Sequence, residues 1–214
     1  MTYLIHTNFT SGEISPRLDM RVQLQKFSSA CAEAQNVVLQ PQGGATKRTG
    51  LRFINEVKDS SKKVRLIPFQ FSTETAYVLE FGDGYIRFYM DGGIIMDGDS
   101  PYEITSPYAE ADLYEIQFTQ SADVMYLVHP GYEPRKLSRT GHTAWSLDVI
   151  SFTSQPDEWG SDNWPGSVTF YKQRLCFGGV PSKPQKFWMS VVNSFEDMTT
   201  GTNDDDACVF QLVA

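Results

Sequence analysis

The chain is poor in cysteine. Its 214 residues hold three, Cys31, Cys176 and Cys208, an odd and widely spaced set. They form no C-x-x-C pair and no disulfide framework, and they read as buried or half-buried thiols in a reducing compartment. Long apolar runs are missing too. Nothing approaches the roughly 18 residues of a membrane span. The opening Met-Thr-Tyr-Leu-Ile-His-Thr-Asn lacks the basic start and apolar core of a signal peptide. The expectation is a protein made in the cytoplasm that stays soluble unless something else carries it out. Histidine is scarce, with His6, His129 and His142 far apart. A zinc site needs clustered His and Cys ligands. There is no Gly-x-Ser-x-Gly elbow and no Ser-His-Asp order. Gly43-Gly44-Ala45-Thr46-Lys47 lacks the spacing of a phosphate-binding loop and reads as a turn before a strand. No catalytic, cofactor-binding or metal-binding residue is nominated, and the chain is not expected to be an enzyme.

What is present is length, acid and aromatic rings. A chain of this size buries roughly 70% of the surface its unfolded form exposes, so it needs neither disulfide nor metal. The formal net charge is -8, unevenly spread: Met1 to Arg65 carries +5 and the remainder -13. An acidic body does not clamp DNA phosphates, because that affinity comes from Lys and Arg displacing counterions. It suits a passage along which DNA slides without sticking, and equally an ordinary acidic surface. Asp97 with Asp99, or Asp204 to Asp206, offer hard oxygen ligands for calcium but match no EF-hand loop, and a solvated acidic turn is the favoured reading. Asp157 and Glu158 are adjacent, so in a strand they point to opposite faces, unlike a glycosidase pair.

Two regions follow from the pattern. Residues 1–65 read as an irregular, partly helical arm. Leu24, Phe27, Cys31 and Ala34 recur at spacings of three and four within Val22 to Gln35, which suits one face of a helix. Gln40-Pro41-Gln42-Gly43-Gly44 breaks it, and Leu51 to Ile54 reads as a short strand. Residues 66–214 read as a β-rich, propeller-like region. Short aromatic and β-branched runs at Val64–Phe71, Ala76–Phe81, Tyr85–Met90, Tyr114–Phe118, Val124–His129, Ser146–Phe152, Gln173–Phe177 and Lys186–Val191 are separated by Gly, Pro, Asp and Ser. Gly82-Asp83-Gly84 between Phe81 and Tyr85 predicts a hairpin. Ser106-Pro107 before Ala109–Leu113 predicts one helical turn, with Ser106 as N-cap and Pro107 at the first helical position.

The strand ends Phe81, His129 and Phe177 are evenly spaced. Their period falls in the range of propeller blades, about 40 to 50 residues. Three units do not close a ring. Either the chain is part of a longer protein or the sheets stay open. Cys208 to Ala214, a strand with nothing after it to pair or cap it, favours the first. The four tryptophans, Trp145, Trp159, Trp164 and Trp188, serve as core or as sugar-stacking platforms; core is the commoner use in a β protein. The polar, turn-rich stretch Asp157 to Gly166 carries Trp159 and Trp164. It reads either as a protruding loop that contacts a neighbouring subunit or partner, or as a long connection with its rings tucked in.

Asn8 to Ile54 carries an ordered pattern. Asn8-Phe9-Thr10-Ser11-Gly12-Glu13-Ile14-Ser15-Pro16 is followed by Arg17-Leu18-Asp19 and Arg21. Asn36-Val37-Val38, Pro41-Gln42-Gly43-Gly44-Ala45 and Lys47-Arg48-Thr49-Gly50-Leu51-Arg52-Phe53-Ile54 come next. This resembles the N-terminal region of the tail tubular protein B family, the tail nozzle proteins of short-tailed bacteriophages, and related prophage virion proteins. The likeness runs on through Ala76–Met90, Tyr102–Val128, Arg174–Gly179 with Trp188-Met189-Ser190, and Asn193–Met198 with Asp204–Ala207. Members of that family are several times longer, so the resemblance leaves open what supplies much of the ring contacts and the distal tip.

The resemblance implies a homo-hexameric β-rich ring in the virion tail that extends the genome-ejection channel. Its partners would be portal and adaptor proteins, tail fibre or tailspike proteins, and DNA in non-specific transit; no membrane span is implied. For assembly contacts the basic arm offers Arg17, Arg21, Lys47, Arg48 and Arg52, whose charge complements the acidic body, and the loop offers Trp159 and Trp164. The rival expectations are a carbohydrate-binding or carbohydrate-hydrolysing module for the host surface and an ordinary propeller scaffold.

Overall fold

The computed structural model describes residues 5–72 and 75–212. Strands take up 47% of the chain and helical turns 4%, so the protein is mainly β. It divides into two compact units, Met1–Phe53 and Ile54–Ala214.

The first unit is built from short pairings. β1 (Gly12–Glu13) runs parallel to β2 (Ala30–Cys31), and β3 (Val37–Leu39) pairs antiparallel with β4 (Ala45–Lys47). Gly43 has a φ of 104°, and a Cβ there would meet the Thr7 carbonyl at 3.2 Å and Asn8 Cα at 3.3 Å. Only glycine fits so close to another backbone.

The partly helical arm expected here is not formed. Its helical content is two single 3-10 turns, Pro16–Leu18 and Phe27–Ser29. In place of a helix over Val22–Gln35, the Ser28 and Ser29 hydroxyls donate back to the Gln25 and Lys26 carbonyls. Such local bonds compete with the helical ladder. Ala30 and Cys31 are already committed to β1, and a short helix with no surface to pack against is marginal in water. Leu51–Ile54 is likewise no strand: it pairs with nothing among the described residues and stands open to solvent.

The second unit holds three successive antiparallel meanders, the first with five strands and the other two with four, formed where alternating side chains give each strand an apolar face. In the first, β5 (Arg65–Gln70), β6 (Ala76–Gly82) and β7 (Tyr85–Met90) are followed by β8 (Gly93–Ile94), which pairs with β7. A two-stranded excursion of β9 (Met96–Asp97) and β10 (Ser100–Pro101) comes next, and β11 (Glu103–Thr105) closes the sheet on β7. The second meander is β12 (Gln117–Ser121), β13 (Val124–His129), β14 (Tyr132–Gly141) and β15 (Ala144–Val149). The third is β16 (Ser167–Tyr171), β17 (Arg174–Val180), β18 (Lys183–Met189) and β19 (Cys208–Gln211).

The hairpin expected at Gly82–Gly84 forms, with Gly82 opposite Tyr85 and Gly84 at a φ of 78°. The helical turn expected after Ser106 forms at Glu110–Asp112, later than predicted, with Ala109 in the cap position. The strand expected at Tyr114–Phe118 begins at Gln117, because Leu113 and Ile116 are drawn into the core. The last strand is not unpaired: β19 lies antiparallel to β18, with Phe210 opposite Phe187. Val213 and Ala214 fall outside the described residues.

The sheets lie face against face. Ile67, Phe69, Tyr77, Leu79, Phe81, Ile86 and Phe88 of the first pack on Met125, Leu127, Leu137 and Trp145 of the second. Tyr126 and Val128, on the other side of β13, pack on Leu175, Phe177 and Trp188 of the third. Strand β13 is therefore buried on both faces, which explains its unbroken run Met-Tyr-Leu-Val. No closed barrel or propeller is formed among the described residues.

The even period of the strand ends does not survive the registers. The hairpin between second and third strands closes at Gly82 and Tyr85 in the first sheet and at His129 and Tyr132 in the second, one position short of that period. The hairpin between first and second strands closes at Ser121 and Val124 in the second sheet and at Tyr171 and Arg174 in the third, two positions beyond it. The odd shift matters because a single step along a strand turns a side chain to the opposite face. In the observed registers Val78 corresponds to Met125 and Leu175, and Glu80 to Leu127 and Phe177. Each sheet thus turns the same side toward the sheet before it.

Candidate assembly surfaces

Three surfaces are left open. The first is the arm unit. Among its described residues Ala30 is the only buried apolar side chain, while Ile5, Met20, Val22, Leu51 and Phe53 are large and open; Leu51 is 88% exposed and Phe53 79%. Arg17, Arg21, Lys47, Arg48 and Arg52 are all exposed. None pairs with a carboxylate among the described residues. Arg48 Nε donates to the Asn36 side-chain oxygen at 3.0 Å, across the β3–β4 hairpin.

The second surface is the rear face of the first sheet, the side turned away from the second sheet. Residues 54–58 run beside it. Lys58 pairs with Glu103 at 2.6 Å, Lys62 pairs with Asp83, and Lys58 also lies 5.1 Å from the centre of the Tyr85 ring. These ties place the boundary between units after Phe53, ahead of the boundary at residue 65 drawn from composition.

On this face Glu80 is fully buried and accepts hydrogen bonds from the Tyr85 hydroxyl at 2.7 Å and from the Tyr89 hydroxyl. Arg87 stands opposite Glu80 in the register and donates to Glu103 at 3.1 Å. Burial, and then the bond to Glu80, push the Tyr89 hydroxyl up to about 12 and raise Tyr85 further. Both phenols therefore stay protonated donors at neutral pH, as a buried carboxylate requires. Beside this polar patch a groove of about 360 Å³ is lined by Ile54, Val57, Leu66, Val78, Tyr89 and Met90.

The third surface is the forward face of the third sheet. Cys176 and Gly178 stand where Tyr126 and Val128 stand in the second sheet, but they are half-buried, and no sheet among the described residues packs on this face. Around them lie Tyr171, Phe187, Met189 and Phe210, with Phe187 and Phe210 stacked at 5.2 Å. Arg174 anchors the sheet end, donating to the carbonyls of Ser190, Asp204 and Asp206 at 2.6–2.7 Å.

Both loop tryptophans lie in the second core. Trp159 packs at 5.0–5.5 Å on Phe152, Phe177 and Trp188, and Trp164 is buried in the same cluster. Gly160 pairs with Asn163 through a tight turn at Ser161 and Asp162, both with positive φ. Glu158 is fixed by Lys183 and Lys186. The hydrogen bond from Lys186, above all, lowers its carboxyl to about 2. The sequence pattern missed the Glu80 network. A lone Glu among apolar residues in a strand, with Tyr85 and Tyr89 following, was its only signal. The three histidines stay apart: His6 lies in the arm, His129 is buried beside Tyr132, and His142 bonds the Tyr77 hydroxyl at 2.7 Å. Among the described residues no group of three or more His, Cys, Asp or Glu side chains is placed to hold a metal. Among them, too, no helix is long and apolar enough to cross a membrane. Compared with known proteins, the chain matches no protein-family model, and no curated protein aligns with it.

Proposed function

We propose that the chain is a structural component of a bacteriophage tail, a nozzle-type subunit whose copies assemble into a ring around the channel for genome ejection. The observation that carries this reading is the open apolar surface of the arm. A unit with one buried apolar side chain among its described residues, and with Leu51 and Phe53 in water, gains stability by packing on something else. The second and third sheets are four-stranded antiparallel meanders, which is compatible with the propeller-like part of this reading. The sequence likeness to tail nozzle proteins supplies the biological setting. On this reading the protein sits in the virion tail, forms a homo-hexamer and meets portal or adaptor proteins on one side and fibre or tailspike proteins on the other. The acidic body faces DNA in transit and repels its phosphates. All four tryptophans are buried, which favours this reading over a carbohydrate-binding module, because stacking on a sugar needs an open ring face.

The test is absolute mass by light scattering followed by electron microscopy of the same fraction. A ring with a central hole is expected. A monomer that also fails to join the other tail proteins on mixing overturns the proposal.

A further inference from the structure

We infer that the β9–β10 hairpin of one copy plugs into a hollow in the arm of a second copy, with Met96 in the hollow and Asp97 and Asp99 against Arg17, Arg21 and Lys26. The joint rests on the self-assembly part of the proposed function and gives it a plug and a socket.

The socket belongs to the arm alone. It is a hollow of about 240 Å³ lined by Ile14, Leu18, Leu24, Phe27 and Lys26. The chain here runs through tight turns in place of a helix: the Arg21 amide donates to the Leu18 carbonyl, Leu24 to Arg21, and Phe27 to Leu24. Its apolar side chains therefore surround a space and do not close into a core. Arg17 and Arg21 flank this wall, and both are exposed, as is Lys26. Asp19 is the one acid from Arg17 to Lys26, and it accepts from the Met20 amide at 3.0 Å. None of the three cations meets a carboxylate among the described residues.

The plug is anchored at its base and free at its tip. Ile95 and Tyr102 pack against the first core, and the Tyr102 amide donates to the Ile95 carbonyl at 2.8 Å. Above them Met96 stands opposite Pro101 and Asp97 opposite Ser100, with Gly98 at a φ of 60° in the turn. Met96 to Ser100 are exposed, and the two strands pair with no other strand among the described residues. No Lys or Arg occurs between Arg87 and Arg135, and neither Asp97 nor Asp99 meets a cation among the described residues. A tip already held in shape loses little freedom on docking. Methionine is the side chain that adapts best to an irregular apolar hollow.

Charge selects the pairing. Tip on tip sets acid against acid, and arm on arm sets cation against cation, whereas tip on arm matches both. Each copy carries one plug and one socket, so the joint is heterologous and closes into a ring if the rotation per copy completes a turn.

The experiment uses two full-length charge-swapped variants, Asp97→Lys/Asp99→Lys in the tip and Arg17→Glu/Arg21→Glu in the arm. Mass is read by light scattering over a wide concentration range at low and high salt. The wild type is expected to gain mass with concentration, less so at high salt. Each variant alone is expected to associate at least about tenfold more weakly. An equimolar mixture of the two is expected to recover assembly, because each swapped tip then meets a swapped arm; that recovery also shows both variants folded. Met96→Asp is expected to weaken assembly at either salt concentration. A wild type that stays monomeric, variants that assemble like the wild type, or a mixture that does not recover each overturn the inference. A ring that survives in both variants removes this joint and leaves the tail reading standing. A recovered mixture in a protein that never joins other tail components does the reverse.

Discussion

The arm and the sheet stack are made of the same kinds of residue and put them to opposite uses. In Ile54–Ala214, β13 buries both of its faces and two clusters of rings and aliphatic chains fill the spaces between sheets. In Met1–Phe53, with six Lys or Arg against three Asp or Glu, the large apolar side chains stand mostly in water. The difference is one of partners. A strand in a stack has neighbours on two sides and above and below, whereas a two-residue pairing such as β1 with β2 has none to spare. Hydrophobic content alone therefore does not say where a core is; the content must recur on a face that something covers.

The sharpest way to break this comparison is to hollow out the stack. Trp188 is fully buried between the second and third sheets, against Trp159 and under the Lys186 ammonium. Trp188→Ala is expected to destabilise the sheet unit by about 3–5 kcal/mol, the usual range for a large ring removed from a core. The measurement is chemical denaturation followed by tryptophan fluorescence. A loss below about 1 kcal/mol would mean that the second core is not packed as described.

A smaller effect is expected at Glu80, which tests whether the rear face is held by polar bonds or by apolar contact. Glu80→Ala leaves the buried Tyr85 hydroxyl without its acceptor, at a cost of about 1–3 kcal/mol, and takes one bond from the half-buried Tyr89 hydroxyl. The midpoint of thermal unfolding should fall, and the two phenols should titrate closer to the ordinary tyrosine value. Gly82 belongs to the same construction. A Cβ there would meet the Tyr85 ring at 2.2 Å, so Gly82→Ala displaces the ring that Glu80 holds. Hairpin chemistry explains a glycine at this turn, but the ring makes it obligatory.

The third effect is smaller again and depends on pH. The Glu158 carboxyl lies at about 2, below its ordinary value, chiefly through the Lys186 hydrogen bond. A group with a depressed folded-state value contributes stability above the unfolded value, and that contribution is lost as pH falls toward the folded value. The contribution is therefore complete at pH 6 and fades between about 4.5 and 2. After discounting for solvent, about 1 kcal/mol is expected. Unfolding curves of wild type and Glu158→Gln should differ at pH 6 and converge near pH 2. A gap that is constant with pH would place the effect in packing and not in charge.

These contrasts also show what was legible from residues alone. The strands Tyr85–Met90 and Val124–His129 were readable to the residue, because their aromatic and branched runs end at turn residues. Strand β14 was largely hidden. Its charges, Lys136 and Arg139 among them, look like a loop until Glu196 and Asp123 are seen to pair with them. Strand β16, mixed and half-exposed, gave no run to follow. The recurrence of three units was visible, yet its period was off by one position in one step and by two in the other, enough to turn side chains to the wrong face. The arm misled in the other direction: spacings of three and four at Leu24, Phe27, Cys31 and Ala34 describe a helical face, but a face needs a surface to bury it. The basic residues of the arm and the two loop tryptophans were nominated by charge and composition. Composition could not distinguish the open positions of the former from the buried positions of the latter.

The smallest effect belongs to the arm, and it sharpens the comparison most. Leu51 and Phe53 are open in the single chain, so Leu51→Ala or Phe53→Ala should change the unfolding free energy of the monomer by less than about 0.5 kcal/mol, as surface substitutions do. The same side chains become valuable only when a partner covers them. If the arm is a docking element, these substitutions weaken assembly at concentrations where the monomer is untouched, and charge reversal at Arg48 and Arg52 does the same with a strong dependence on salt. Monomer stability and assembly must therefore be measured on the same variants. A Phe53→Ala protein that loses several kcal/mol as a monomer would show that the arm carries a core in solution after all. One that loses nothing in either measurement would show that the apolar side chains of the arm are covered by no partner in the assembly.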